Sequence, residues 1–134
     1  MKKKALFIGG TGTISMAITR ALSKNCDWEL YLLNRGNRQG EIPENVTVIK
    51  ADVNDEKDVA EKVSELNFDC VCDFIGFEVA QVERDYRLFA GKTKQYMYIS
   101  SASAYNKPCR NPVITEGTAL ANPYWEYSDR KSVV

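Results

Sequence analysis

The stretch KKKALFIGGTGTIS, Lys2 to Ser15, runs an apolar burst straight into a glycine cluster, and ISMAITRALSKN follows at once. A buried strand that ends in glycines and turns directly into a helical pattern constrains the fold more than any other feature, because such a helix carries the chain back to a parallel neighbouring strand. The lysines followed by ALFI copy the front of a secretion signal only superficially. The apolar part stops after four residues, and no small-residue cleavage site follows.

The same alternation continues along the chain. Ile14, Ala17, Ile18, Ala21 and Leu22 fall on one face of the first predicted helix. WELYLLN reads as a second strand and VTVIKAD as a third, and DEKDVAEKVSEL as a helix with Val59, Val63 and Leu66 on one face behind an acidic first turn. FDCVCDFIG is a fourth strand. Val79 to Ala90 is a helix with Val82, Tyr86 and Phe89 apolar, closed by Gly91, and KQYMYISSAS is a fifth strand. A polar segment from Tyr105 to Asn122, with Pro108 and Pro112, reads as an irregular surface loop of the kind that borders an active site. A last helix is predicted from about Pro123, where the proline suits a first helical turn, and it is short when the chain stops.

Strands alternating with helices predict an α/β fold: a Rossmann-type, doubly wound parallel sheet of five strands with flanking helices. The 134 residues suit one domain, residues 1–134. In the usual strand order the fifth strand is left as an exposed edge.

The chain has 18 basic and 18 acidic residues, so no net charge draws it to nucleic acid or a membrane surface. No apolar run approaches the roughly 20 residues that span a bilayer. Cys26, Cys70, Cys72 and Cys109 have neither disulfide nor zinc spacing, and the chain has no histidine to complete a metal set. They read as reduced thiols of a cytoplasmic protein, with Cys70 and Cys72 pointing the same way from a strand into ordinary burial.

The loop Gly9-Gly10-Thr11-Gly12-Thr13-Ile14-Ser15 sits between strand and helix, the setting of a phosphate cradle. Gly9 and Gly12 are read as the residues that let the main chain turn tightly and approach a pyrophosphate, which then faces the helix's free N–H groups and positive dipole end. Ser15 stands where the usual spacing has a third glycine, a small residue that costs little in close packing. At the tip of the second strand an acidic side chain would accept from the adenosine ribose hydroxyls. Asn34 and Arg35 stand there instead. Arg35, helped by Arg38, suits a 2′-phosphate, and no carboxylate at Asn34 repels it, which favours NADP over NAD.

GGTGTIS at the first turn, ADV after the third strand, YISSASAY at the end of the fifth and YSDRK in the last helix together resemble the short-chain dehydrogenase/reductase superfamily, in its extended branch of NAD(P)-dependent epimerases and dehydratases. LNRG and DFIGF look closer to atypical members related to chloroplast stem-loop-binding proteins. The resemblance covers essentially the whole chain and implies Asp52 and Val53 near the adenine, and Gly9, Thr11, Gly12, Thr13 and Ile14 around the diphosphate. Tyr127 and Lys131, four apart on one helical face, fall where this family carries its catalytic pair, and Ser101 falls on its substrate-orienting hydroxyl.

A free phenol, titrating near 10, is a poor base at neutral pH, and a neighbouring ammonium favours its ionised form. The resemblance therefore assigns Tyr127 as proton acceptor and donor, Lys131 as the ammonium beside it that also holds the nicotinamide ribose, and Ser101 as the orienting hydroxyl. Sugar-nucleotide dehydratases of this kind place an Asp-Glu pair just after that hydroxyl, where this chain has Ala102 and Ser103, so an epimerase or carbonyl reductase acting on a sugar or sugar nucleotide fits better. The alternative is a non-catalytic nucleotide-binding or RNA-binding member. Family members of this branch are more than twice as long, so the chain is expected to lack the C-terminal substrate lobe; a homodimer is a common arrangement among them.

Overall fold

The computed structural model describes residues 1–37, 42–105, 107–109, 111–122 and 124–133. The elements are β1 (Lys3–Ile8), α1 (Thr13–Ser23), β2 (Trp28–Asn34), β3 (Thr47–Lys50), α2 (Glu56–Lys62), β4 (Phe68–Asp73), α3 (Val79–Phe89), β5 (Thr93–Tyr98), a 3-10 turn at Ala102–Ala104, and α4 (Glu126–Val133). All five strands are parallel, in the order β3-β2-β1-β4-β5. Chain order therefore reverses between β1 and β4, the place where an open α/β sheet leaves a crevice. Ile8 pairs with Leu33 on one side and Asp73 on the other, so three strand tips end level beneath it.

Side chains alternate across the sheet as the two-residue period demands. Leu6 and Ile8 join Leu33, Val59, Val71 and Phe89 in one core cluster, while Ala5 and Phe7 join Leu30, Leu32 and Cys72 in the other. Burial pushes the Cys72 thiol up to about 11, consistent with a packing role. Val59 in α2 and Val63 just after it are fully buried with Leu66 packed against their cluster, and Asp55 caps the helix by accepting from the Asp58 N–H at 3.2 Å. Gly91, at φ +76°, follows the end of α3 as predicted.

Two helix faces differ from the expectation. Helix α1 turns Ser15, Met16 and Thr19 inward, whereas Ile14 and Ile18 are 69% and 42% exposed; of the five residues on the predicted face, Leu22 packs against the core. The cause is polar: the Thr19 Oγ1 donates to the Gly10 carbonyl at 2.8 Å inside the fold, so the helix is rotated to satisfy the glycine turn. Helix α3 likewise buries Arg84, Asp85, Leu88 and Phe89, and leaves Tyr86 exposed. The 105–122 segment is closed at its base, where Tyr105 bridges Leu120 and the Lys107 N–H donates to the Ala121 carbonyl at 3.1 Å. Helix α4 begins at Glu126; the expected start at Pro123 lies outside the described residues.

Candidate functional site

The turn after β1 is built on two left-handed glycines. Gly9 has φ +102° and Gly10 φ +39°, and an added Cβ would lie 2.5 Å from Ile75 Cγ2 and 2.4 Å from Leu32 Cδ2 respectively. Gly12 differs from the expectation: it adopts φ −79°, ψ 175° as the N-cap of α1, and a Cβ there would meet the Ser15 Oγ alone, at 3.4 Å. Gly10 rather than Gly12 supplies the second tight bend. The Gly12 N–H donates to the Ser15 Oγ at 2.8 Å, so the serine that replaces a third glycine ties down the loop. Gly12 has no side chain to cap the helix, so it offers the first-turn amides of α1, those of Thr13 and Ile14 among them, no side-chain hydrogen bond.

Beside this turn lies a cleft of about 350 Å³, lined by six of the predicted residues: Gly9, Thr11, Asn34, Arg35, Asp52 and Val53. Leu33, Asn37, Ala51, Asn54 and Ile75 complete the lining. The Asn34 Oδ1 accepts from the Gly36 N–H at 2.8 Å, which fixes the amide's orientation and leaves its buried Nδ2 with no hydrogen-bond partner among the described residues. Arg35 is exposed next to this donor. Arg38 lies outside the described residues. Asp52 Oδ1 accepts from the Asn54 N–H at 2.9 Å, and Val53 is buried in the core.

Gly12, Thr13 and Ile14 are not among the residues that line the cleft; of the three residues predicted to be catalytic, Lys131 and Tyr127 lie near one another beyond the tips of β4 and β5. Lys131 is 6% exposed; its Nζ donates to the Gly76 carbonyl, to the Tyr98 hydroxyl at 2.9 Å and to the Ile99 carbonyl at 3.1 Å. Burial holds this ammonium below the usual lysine range, and the Asp73 charge opposes that shift. Tyr127, half-buried one turn earlier, stacks on Phe77 with ring centroids 5.3 Å apart, and the Lys131 Nζ lies 5.6 Å from its ring centre. Ser101 accepts from the Ser103 N–H at 3.2 Å, and its Oγ lies 2.6 Å from the Ser103 Oγ, so its present partners belong to the short turn that it caps.

The β4–α3 turn joins the two halves. Ile75 lines the cleft, and its neighbour Gly76 receives Lys131. Asp73 beneath them is fully buried; its Oδ1 accepts from the N–H groups of Ile75 and Gly76, both at 2.8 Å. Sequence reasoning passed over Gly10, Asn54, Asp73, Gly76 and Tyr98. One signal was available: in FDCVCDFIG an aspartate ends an apolar run just before a glycine, at the height of the first glycine turn.

No protein-family model and no curated protein matches the sequence. Solved structures do. The UDP-Glc/GlcNAc 4-epimerase of Campylobacter jejuni superposes with a TM-score of 0.79 at 20% identity, over 98% of this chain and 47% of its own. The dTDP-glucose 4,6-dehydratase of Bacillus anthracis str. Ames, solved with NAD, gives 0.75 at 18% identity over 97% and 47%. A wide-type short-chain dehydrogenase/reductase of Veillonella parvula DSM 2008, in complex with NADP, gives 0.64 at 21% over 78% and 50%. The chain spans about half the length of these structures. Its five-stranded parallel sheet, glycine turn and flanking helices thus have the Rossmann-type fold found in short-chain dehydrogenase/reductase and sugar-nucleotide epimerase and dehydratase structures.

Proposed function

We propose that the chain is the dinucleotide-holding part of an NAD(P)-dependent oxidoreductase or epimerase that works on a hydroxyl or carbonyl of a sugar or sugar nucleotide. The observation that carries this reading is the cleft at the glycine turn, with left-handed Gly9 and Gly10 on one side and, on the other, the buried Asn34 Nδ2, which has no hydrogen-bond partner among the described residues. Its residues fit the group. The Thr13 and Ile14 amides would receive the diphosphate, with Thr11 beside them, and Asp52 and Val53 would flank the adenine. A buried donor at Asn34 and the cation of Arg35 suit a 2′-phosphate, which favours NADP over NAD.

A bound nicotinamide supplies hydride exchange with the substrate carbon. Tyr127 would take the proton from the substrate hydroxyl and return it in the opposite direction, with the Lys131 ammonium one helical turn away and Ser101 orienting the oxygen. The fold similarity to epimerase and short-chain reductase structures supports this class, and the absence of carboxylates at Ala102 and Ser103 favours epimerase or reductase over dehydratase.

Titrating the chain with NADPH and with NADH tests the cofactor reading. NADPH is expected to bind more tightly, and Arg35→Ala to weaken it roughly tenfold, about 1.4 kcal/mol, while leaving NADH unchanged. Equal affinities before and after the substitution would overturn the phosphate preference, and no binding of either would overturn the nucleotide reading. In the complete protein, with a nucleotide sugar found by screening, Tyr127→Phe is expected to cut kcat by 10²-fold or more.

A further inference from the structure

Asp73 lies outside the predicted set, yet its carboxyl is fully buried where the cleft and the Lys131 cluster meet. A charge in that position requires compensation. One oxygen has it: Oδ1 accepts from the Ile75 and Gly76 N–H groups and bends the chain after β4, so that the Gly76 carbonyl comes to Lys131 and also accepts from the Tyr98 hydroxyl at 3.1 Å. The other oxygen, Oδ2, meets no N–H or hydroxyl donor among the described residues. A Cβ on Gly76 would stand 2.2 Å from it and 2.8 Å from Tyr98 Cε2, so Asp73, Gly76 and Tyr98 form one close-packed unit.

The charged and titratable groups around it come from every adjoining element. From α3, Arg84 brings its Nη2 within 4.0 Å of Oδ2 and pairs with Asp85 at 2.8 Å. From β5, the Tyr96 hydroxyl donates to Asp85 at 2.8 Å, and Tyr98 is pushed up to about 12 by burial and then by the charges of Asp73 and Tyr127. From α4 comes Lys131, whose ammonium is favoured by Asp73 against the cost of burial.

We infer that Asp73 is the positioning residue of the candidate site: its Oδ1 shapes the β4–α3 turn whose Gly76 carbonyl receives Lys131, and its carboxyl group is the buried acidic partner next to that turn. The role rests on the assignment of Tyr127 and Lys131 above, since a neutral amine would give neither a phenolate nor ribose hydroxyls a positive partner. Asp73 acts through Gly76 and through its field, without touching the substrate.

The test is NMR titration of the full chain labelled with ¹³C and ¹⁵N lysine, with the Lys131 signal identified by its loss in Lys131→Met. Asp73→Asn keeps the Oδ1 acceptor and removes the charge. The Lys131 midpoint is expected to fall by about one pH unit or more, with the other lysines unmoved. A loss of packing alone would lower the melting temperature and leave that midpoint in place, and an unchanged midpoint in a folded variant overturns the inference. Should Asp73→Asn fail to fold, the wild type decides: in a sample also labelled with ¹³C aspartate, the Lys131 signal must follow the acid titration of the Asp73 carboxyl, and a Lys131 trace that stays flat across that titration overturns the coupling. NADPH titration of the same samples separates the two readings. Absent nucleotide binding with intact Lys131 coupling sinks the cofactor assignment alone.

Discussion

At the scale of single residues, the glycine turn divides into positions demanded by conformation and a position left open. Gly9 and Gly10 have positive φ, and a methyl group on either would collide with Ile75 or Leu32. Gly12 sits in ordinary extended backbone with its Cβ direction nearly clear. Gly9→Ala is therefore expected to destabilise the fold by roughly 2 kcal/mol or more through backbone strain and overlap. Gly12→Ala should cost about 1 kcal/mol or less, the usual difference between glycine and alanine at an N-cap. Urea unfolding followed by tryptophan fluorescence checks both. A Gly9→Ala protein as stable as the wild type would mean that the turn is not left-handed. If the cleft holds a diphosphate, Gly12→Ala should lose NADPH affinity at near-normal stability, because it adds a methyl group to the backbone at the N-cap where the main chain would approach the phosphates.

Secondary structure was legible where it rests on apolar runs: WELYLLN corresponds to β2, Trp28–Asn34, residue for residue, whereas the strand expected over FDCVCDFIG ends at Asp73, whose side chain accepts from the next turn's N–H groups. The inward faces of α1 and α3 were not, because both are set by buried polar groups whose partners lie elsewhere in the chain. Thr19 faces inward to reach Gly10, and Arg84 faces inward to reach Asn54 Oδ1 at 3.0 Å, thirty residues earlier. A hydrophobic period cannot show such bonds. The site divides in the same way: the cleft residues follow a local motif, whereas Asp73, Gly76 and Tyr98 meet only through the β1–β4–β5 register.

The inward face of α3 also has a pH signature. Asp85 titrates near 4 in an unfolded chain, and in the fold burial, followed by Asp73, pushes it up to about 6. The folded state therefore holds its proton more tightly. This contribution is complete below about pH 4, declines as pH rises through 6 and is flat above, summing to roughly 3 kcal/mol. Glu56 and Asp69, held below the usual carboxylate range by Arg87 and Lys94, act in the opposite sense. The difference between wild type and Asp85→Asn isolates the Asp85 share. In urea unfolding from pH 4.5 to 7.5, the wild type should lose stability relative to the variant as pH rises, and a constant difference would contradict the buried, proton-retaining state of Asp85.

For the whole molecule, the consequence of the strand order is an uncovered side. Among the described residues β5 pairs with β4 alone, and Lys94, Gln95 and Met97 along it are exposed. A groove of about 260 Å³ beside it, between α3 and β5, is lined by Val82, Tyr86, Phe89 and Tyr96. Edge strands are commonly protected by lysine, but the Lys94 ammonium is tied to Asp69 at 2.6 Å, which weakens that protection. β3, the other edge, is only four residues long and offers a shorter template. The chain by itself is therefore expected to self-associate through β5 as its concentration rises. Met97→Lys adds a charge at a position 44% exposed, where it disturbs no core contact, so stability should change by no more than about 0.5 kcal/mol. Sedimentation velocity across a concentration series distinguishes the outcomes. Association in the wild type that Met97→Lys suppresses places the contact at β5, whereas a monomer at every concentration, or association indifferent to the substitution, removes β5 as the adhesive edge.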